Sequence, residues 1–329
     1  MHIKGLSIAI SLVLLMVLNS QSVICQSSQL SFQKKDGRLQ ILDGNQEILG
    51  HQYEFMNPPE GVSPAYGRSG FMHPVNTPSG KLLTWIQPKD HYHHYGIWNP
   101  WTHVEIKGDT VDFWNLNQKT GLVAFDSFKN IEKTKNGGVK YTAVHNHVKT
   151  KGGIKEIVLI EDQVVSIKKL TSNSYAIDLE SVYKCATDAP FNILEYRYAG
   201  LGWRATSEWK KENCTVLTSA GIPREGSDGS LAKWILSQGS FETGSGGILM
   251  LSHPDNYNHT PDKGEPIRIW PENSNGGYLF VNFSPTKNKD WKLMPGKDYH
   301  LKYRLVVFDD KMDAVTAEAH YTNFLKEIK

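Results

Sequence analysis

The chain has 329 residues, 36 lysines and arginines against 34 aspartates and glutamates, and a formal charge of +2, so it lacks the basic excess of a nucleic-acid or anionic-membrane binder. Three cysteines are too few for a four-sulfur metal site, and any metal would need histidine and carboxylate ligands. No low-complexity linker, charge block or fixed-period repeat divides the chain, and all-β proteins of this length are commonly one unit.

The first residues read as an export signal. Lys4 precedes an apolar run from Gly5 to Leu18, too short to span a bilayer comfortably. Cleavage after Cys25 places Val23 and Cys25 at the two small-residue positions, with Gln26 as the new N-terminus. Acylation of Cys25 is the alternative, and bulky Ile24 argues against it. Residues 1–25 hold one lysine and no acid, so their loss takes the charge from +2 to +1. The expected product is a periplasmic protein with one β-sandwich domain over 26–329 and no membrane span. Its two remaining thiols, Cys185 and Cys214, are permitted but not required to pair.

Strand signals dominate the rest of the chain. In "LSFQKKDGRLQILDGNQEILGHQYEF" short alternating runs are separated by Asp36-Gly37 and Asp43-Gly44, which suit the tight turns of an antiparallel meander. The segment from Asn57 to Gly80, rich in Pro, Gly and Ser, reads as loop. "PKDHYHHYGIWNPW" then puts His91, His93 and His94 into four positions after Asp90. If this run is extended, His91 and His93 share one face and Tyr92 and His94 the other. Two imidazoles on one face can divide acid and base roles or bind a metal. With His73, Trp98, Trp101 and His103 they form the first candidate cluster.

Further strands are predicted at "GVKYTAVHNHVK", "KEIVLIEDQVVSIKKLTS", "YAIDLESVYKCA", "GGILMLSHP", "GGYLFVNFS" and "HLKYRLVVFD". Between them, "EYRYAGLGWRATSEW" carries Tyr198, Trp203 and Arg204. A guanidinium fork pairs with carboxylate or sulfate, and an indole stacks on a sugar ring. "LSHPDNYNHTPDKGEPIRIWPEN" presents His253, Asp255, Asn256, His259 and Arg268 on a proline-fixed loop. The tail from Asp313 to Lys326 reads as the one helix, with Val315, Ala319, Thr322 and Leu325 or Phe324 at helical spacing. Many strands and one helix indicate an all-β, large antiparallel sandwich. Phosphate loops, dinucleotide fingerprints, His-Glu-x-x-His and nucleophile-elbow motifs are absent from the sequence.

At "FMHPVNTPSG", "DHYHHYGIW", "DFWNL", "GLGWRA", "LSHPDN", "IRIW" and "KYRLVVFDD" the chain resembles a family of exported bacterial proteins called PmoA-like, a domain of unknown function. The resemblance runs from about Phe71 to Asp310. It departs at Ser252, where an aspartate is common, and at Glu265-Pro266, which replace a Trp-His pair; roles tied to those positions are not carried over. The resemblance implies a supersandwich related to sugar mutarotases and a place in polysaccharide utilisation in Bacteroidota, with ulvan as one such glycan.

The leading expectation is a carbon–oxygen lyase or dehydratase that acts by β-elimination on uronic-acid-containing oligosaccharides. That reaction needs a carboxylate clamp (Arg204 or Arg268), a base (His91, His93 or His94) and an acid (Tyr198 or a second histidine such as His253). His73, Trp98, Trp101, His103, Trp203, Asn256 and His259 are the expected substrate contacts. No cofactor is expected, although a divalent metal held by histidines stays open. The alternatives are a mutarotase or epimerase, a metal-assisted glycosidase, or a non-catalytic carbohydrate-binding protein. All of these require the segments near residues 92, 204, 252 and 268 to converge. The partner is an oligosaccharide, with oligomeric state left open.

Overall fold

The computed structural model describes residues 29–328; the expected export segment lies outside them. Among the described residues the strands form three antiparallel sheets. The nine-stranded sheet runs, in spatial order, Leu30–Lys35, Arg38–Asp43, Gln46–Gln52, Phe71–Val75, Ile97–Trp98, Gly202–Arg204, Phe280–Phe283, Glu265–Ile269 and Leu231–Ala232. The eight-stranded sheet runs Cys214–Thr218, Trp234–Ser240, Ser245–Ser252, Tyr299–Asp309, Ser174–Cys185, Ile154–Thr171, Val139–Lys151 and Gly121–Lys133. A four-stranded sheet joins Trp291–Leu293, Phe191–Ile193, Val104–Ile106 and Asp109–Val111. The architecture is the expected all-β antiparallel sandwich.

Local chemistry accounts for much of it. The first hairpin pairs Lys35 with Arg38 across Asp36 and Gly37, at φ 51° and 72°, the left-handed values a two-residue turn demands. The long strands bury alternate residues, as at Val139, Tyr141 and Ala143, and this face meets the inner face of the nine-stranded sheet. Ile97, Trp203, Ile267, Ile269, Val281 and Phe283 belong to the large core between the layers. Their strand neighbours Trp98, Trp270 and Phe280 join Phe71, Tyr95 and Trp114 in a separate aromatic cluster on the outer face. Period-2 alternation thus makes two apolar layers from one sheet.

Three local expectations are corrected. Phe71–Val75 lies in the segment expected to be loop, yet it is a strand; Pro74 is tolerated because pairing with Gln46–Gln52 shifts register there, Leu49 facing Val75 and His51 facing Met72. The imidazole run is not extended. His91 N–H donates to Pro88 O (2.9 Å) and His94 N–H to His91 O (2.9 Å), so two turns replace strand alternation. The helix spans Ala314–Glu327, capped by the Asp313 carboxylate accepting from Thr316 N–H at 2.8 Å. Its buried face is Ala317, Tyr321 and Phe324, and Val315 is 79% exposed; of the expected stripe only the alternative Phe324 is buried, and Val315, Ala319 and Thr322 lie more than a third of a turn away. Cys185 and Cys214 are unpaired; the Cys214 thiol accepts from Arg224 Nη1 at 3.6 Å.

Candidate active site

The outer aromatic cluster of the nine-stranded sheet is the floor of the site. Strand Gly202–Arg204 turns Trp203 inward and Arg204 outward. Arg204 is fully buried, its Cζ 4.9, 4.7 and 5.5 Å from the ring centroids of Trp85, Trp270 and Tyr278. Its Nη2 donates to Asp90 Oδ2 at 2.8 Å, while Nε and Nη1 find no protein acceptor. The same Asp90 oxygen lies 3.1 Å from His91 Nδ1. Burial would raise the Asp90 carboxyl, but the His91 hydrogen bond and the Arg204 charge outweigh it and hold it at about 2. Asp90 is therefore an anion that orients His91, leaving the far ring nitrogen, Nε2, as an acceptor.

The other two imidazoles pack against this dyad. Ring centroids stand 5.4 Å apart for His91 and His93, 4.8 Å for His91 and His94, and 4.7 Å for His93 and His94. Burial drives His93 down to about 3, with repulsion from His91 adding to it, and holds His94 well below its ordinary range. His94 is closed in by Trp98, Trp270 and Phe280, so it is a wall of the site. Among the described residues no group of three His, Cys, Asp or Glu side chains forms a metal-binding array.

Trp270 links this dyad to a second group. His91 lies 4.7 Å from Trp270 by ring centroids, and the indole Nε1 donates to the Tyr198 hydroxyl at 3.1 Å. Arg268 Nη2 donates to the same oxygen at 3.2 Å. A phenol that accepts twice has both lone pairs occupied, and what it offers a ligand is its own proton. Arg268 is anchored by an ion pair with Asp228; burial pulls its guanidinium down, but the Asp228 hydrogen bond leaves it raised on balance. The orienting pair Asp90–His91 and the donor Tyr198 thus share one neighbour, the Trp270 indole.

The structure brings together His91, His93, His94, Trp98, Tyr198, Arg204 and Arg268. His73 and His103 lie at its margins: His73 Nδ1 is 2.8 Å from Thr84 Oγ1, with burial and Arg38 pushing it down to about 4, and His103 packs on Tyr196 at 4.1 Å. Five expected residues are elsewhere. Trp101 and Trp203 are fully buried in the inter-sheet core, where Trp203 Nε1 donates to Leu83 O at 2.8 Å, and they offer no face to a sugar. His253 sits under the C-terminal helix, its Nε2 3.1 Å from Ile328 O and its ring 5.7 Å from Phe324. Asn256 is consumed inside the sandwich by Ser252, Glu265 and Lys302. His259 follows on the same loop, half-buried near His253 and Asp255. The loop after residue 252 joins the interior network because Glu265 alternates inward on the strand whose Arg268 points outward.

Sequence reasoning missed Trp85, Tyr278 and Asp228. Asp228, in "REGSDGS", reads locally as a turn former, and only pairing with Arg268 gives it a role. It also missed a buried cluster between the sheets. His145 Nδ1 lies 3.2 Å from Glu161 Oε2, His145 Nε2 3.3 Å from His51 Nε2, and His51 Nδ1 3.2 Å from the Tyr141 hydroxyl. Asn99 and Ser181 donate to the other Glu161 oxygen, at 3.0 and 2.5 Å.

Residues 38–322 match the family described as a family of unknown function, DUF6807. The chain belongs to that family. No curated protein matches this DUF6807 chain. Solved structures similar to it include heparan sulfate lyase HepC from Pedobacter heparinus, at 7% identity over 87% of this chain and 36% of that one, TM-score 0.34. Another is the α-galactosidase from Lactobacillus brevis, at 10% identity over 89% of this chain and 41% of that one, TM-score 0.30. The DUF6807 chain therefore spans well under half the length of these proteins.

Proposed function

We propose that the protein is a carbohydrate-active enzyme that carries out β-elimination on uronic-acid-containing oligosaccharides, ulvan fragments among them. The observation that carries this reading is a carboxylate-oriented imidazole and a doubly accepting phenol that both contact Trp270. His91 Nε2 takes the proton beside the sugar carboxylate, and the electron pair of that C–H bond forms the new C=C bond. The β C–O bond breaks, and Tyr198 gives its proton to the departing oxygen. Arg268 faces the carboxylate side and stabilises the charge that spreads onto it in the transition state. Arg204 does not serve as the clamp: it is buried, and its part is to fix Asp90, which fixes the tautomer and pose of His91.

A pure binding surface would present indoles to solvent; at this site Trp98 and Trp270 are buried and Trp85 is only partly exposed. That favours chemistry over stacking recognition. The test is to incubate the protein with ulvan, alginate and pectin oligosaccharides and follow absorbance at about 235 nm, where an unsaturated uronate absorbs, together with product mass. New absorbance with loss of one water marks a dehydratase, and new absorbance with chain shortening marks a lyase. No new absorbance on any uronate overturns the reading.

A further inference from the structure

Around Tyr198 the positive charge is not balanced. The guanidinium carbons of Arg268 and Arg197 lie 5.1 and 5.4 Å from the Tyr198 ring centroid. Lys287 Nζ stands 3.9 Å from Asp228 Oδ1, the carboxylate that Arg268 already engages. Among the described residues no other carboxylate forms an ion pair with any of these three cations. Elsewhere cations pair one to one, as in Arg38–Glu47, Lys107–Glu156 and Lys129–Asp162, or two to an acid, as Lys149 and Lys151 do at Asp109; around Tyr198 three cations gather at the single Asp228 pairing.

The arrangement is costly without a ligand. Like charges gathered at a partly dry surface repel more strongly than in open water. Lys287 has a side chain only 18% exposed; burial pushes its ammonium down, Asp228 offsets part of that, and Arg268 and Arg197 repel it further. Arg268 also keeps its Nε buried with no acceptor. Arg197 is exposed and rests on two rings, Tyr196 and Tyr198, so it is held in place without being neutralised. The cluster is built around the proposed proton donor, with Arg197 and Arg268 both against the Tyr198 ring.

We propose that Arg197 and Lys287 form a subsite for a second oxyanion, a sulfate ester or a further carboxylate on the sugar next to the one that reacts. Its placement rests on the reading of the site as acting on an acidic sugar, and its chemistry rests on the unmatched charge. The substrate is then an oligosaccharide with anionic groups on neighbouring units. Arg268 faces the reacting carboxylate, and the other two cations set which neighbour is accepted.

The test has two arms. In the first, intrinsic fluorescence of the whole protein is followed while sodium sulfate or sodium acetate is added at constant ionic strength. Saturable binding is expected, weakened about tenfold or more in the Arg197→Ala/Lys287→Met double variant and unchanged in Lys129→Ala, a cation matched elsewhere on the surface. The preferred anion tells a sulfate subsite from a carboxylate one. No saturation with either anion, or equal saturation in the double variant, overturns the subsite whatever the turnover. In the second arm, a uronate linked to a sulfated sugar is compared with its desulfated counterpart, and a diuronate with a uronate linked to a neutral sugar. Removing the second anion is expected to lower kcat/KM about tenfold in the wild type and little in the double variant. Turnover indifferent to the second anion in both pairs sinks the subsite and leaves elimination standing. Anion binding with no turnover of any uronate does the reverse.

Discussion

Two groups of imidazoles in this protein are built from the same parts and differ in access. At the outer face, Asp90 holds His91 and is itself held by Arg204; between the sheets, Glu161 holds His145, which meets His51 and then Tyr141. The side chains of Asp90 and His91 are 31% and 27% exposed, whereas those of Glu161 and His145 are 1% and 3% exposed. In the interior every nitrogen of His51 and His145 faces a protein partner. At the surface His91 keeps one nitrogen free. A histidine beside a carboxylate is thus a framework member in one place and a proton-transfer candidate in the other, and the difference lies in what the second nitrogen meets.

The comparison breaks most readily through turnover. His91→Ala is expected to lower kcat on a uronate substrate by about a thousandfold with little change in unfolding midpoint, because a positioned general base contributes 10²–10⁴. A large stability loss with retained turnover would make His91 another framework member. Glu161→Ala should show the converse: three buried donors lose their acceptor, and stability falls by about 3–5 kcal/mol while turnover per folded molecule is kept. Denaturant unfolding of the variant checks this.

Acid sharpens the contrast further. Burial lowers His51 well below 6.5 and His147 to about 4, so between pH 6.5 and 4 the unfolded chain binds more protons than the folded one. Stability contributed by these neutral rings is therefore present above 6.5 and lost as pH falls through that window, by about 1–3 kcal/mol. His93 adds to the same slope from the outer site, whereas the share of Asp90, held at about 2, is kept until the pH drops below its unfolded value near 4. The interior share can be isolated with His147→Leu. Both nitrogens of His147 are buried without protein partners, so the leucine variant should be about 1 kcal/mol more stable at neutral pH and less acid-sensitive. A less stable variant would mean that water satisfies that ring.

Much of the fold was legible because alternation is local: Val139, Tyr141 and Ala143 declare their strand, and Asp36-Gly37 declares its turn. The strand Gly121–Lys133 was missed because its buried positions are few and its surface is mostly polar. The site was legible where residue type and chemistry coincide, as at His91, Tyr198, Arg204 and Arg268. It was illegible where one strand serves two layers. In "GEPIRIW" Glu265 and Arg268 are three residues apart, yet one meets Ser252 and Tyr303 inside the sandwich and the other meets Tyr198 outside it. Pooling His253, Asn256 and His259 with the arginine treated the sheet as if it had one side. Trp101 and Trp203 failed for the same reason, since an indole that looks ready to stack on sugar is also the largest filler a core can use.

The interior chain has a consequence for how the two layers come together. With Glu161 ionised and both rings neutral, the hydrogen bonds run in one sense: Tyr141 to His51, His51 to His145, His145 to the carboxylate. His51 belongs to one sheet and the other three to its partner. Each ring must therefore settle which nitrogen carries hydrogen while solvent still reaches it. A chain that collapses with either tautomer wrong sets two lone pairs, or two hydrogens, against each other across the seam.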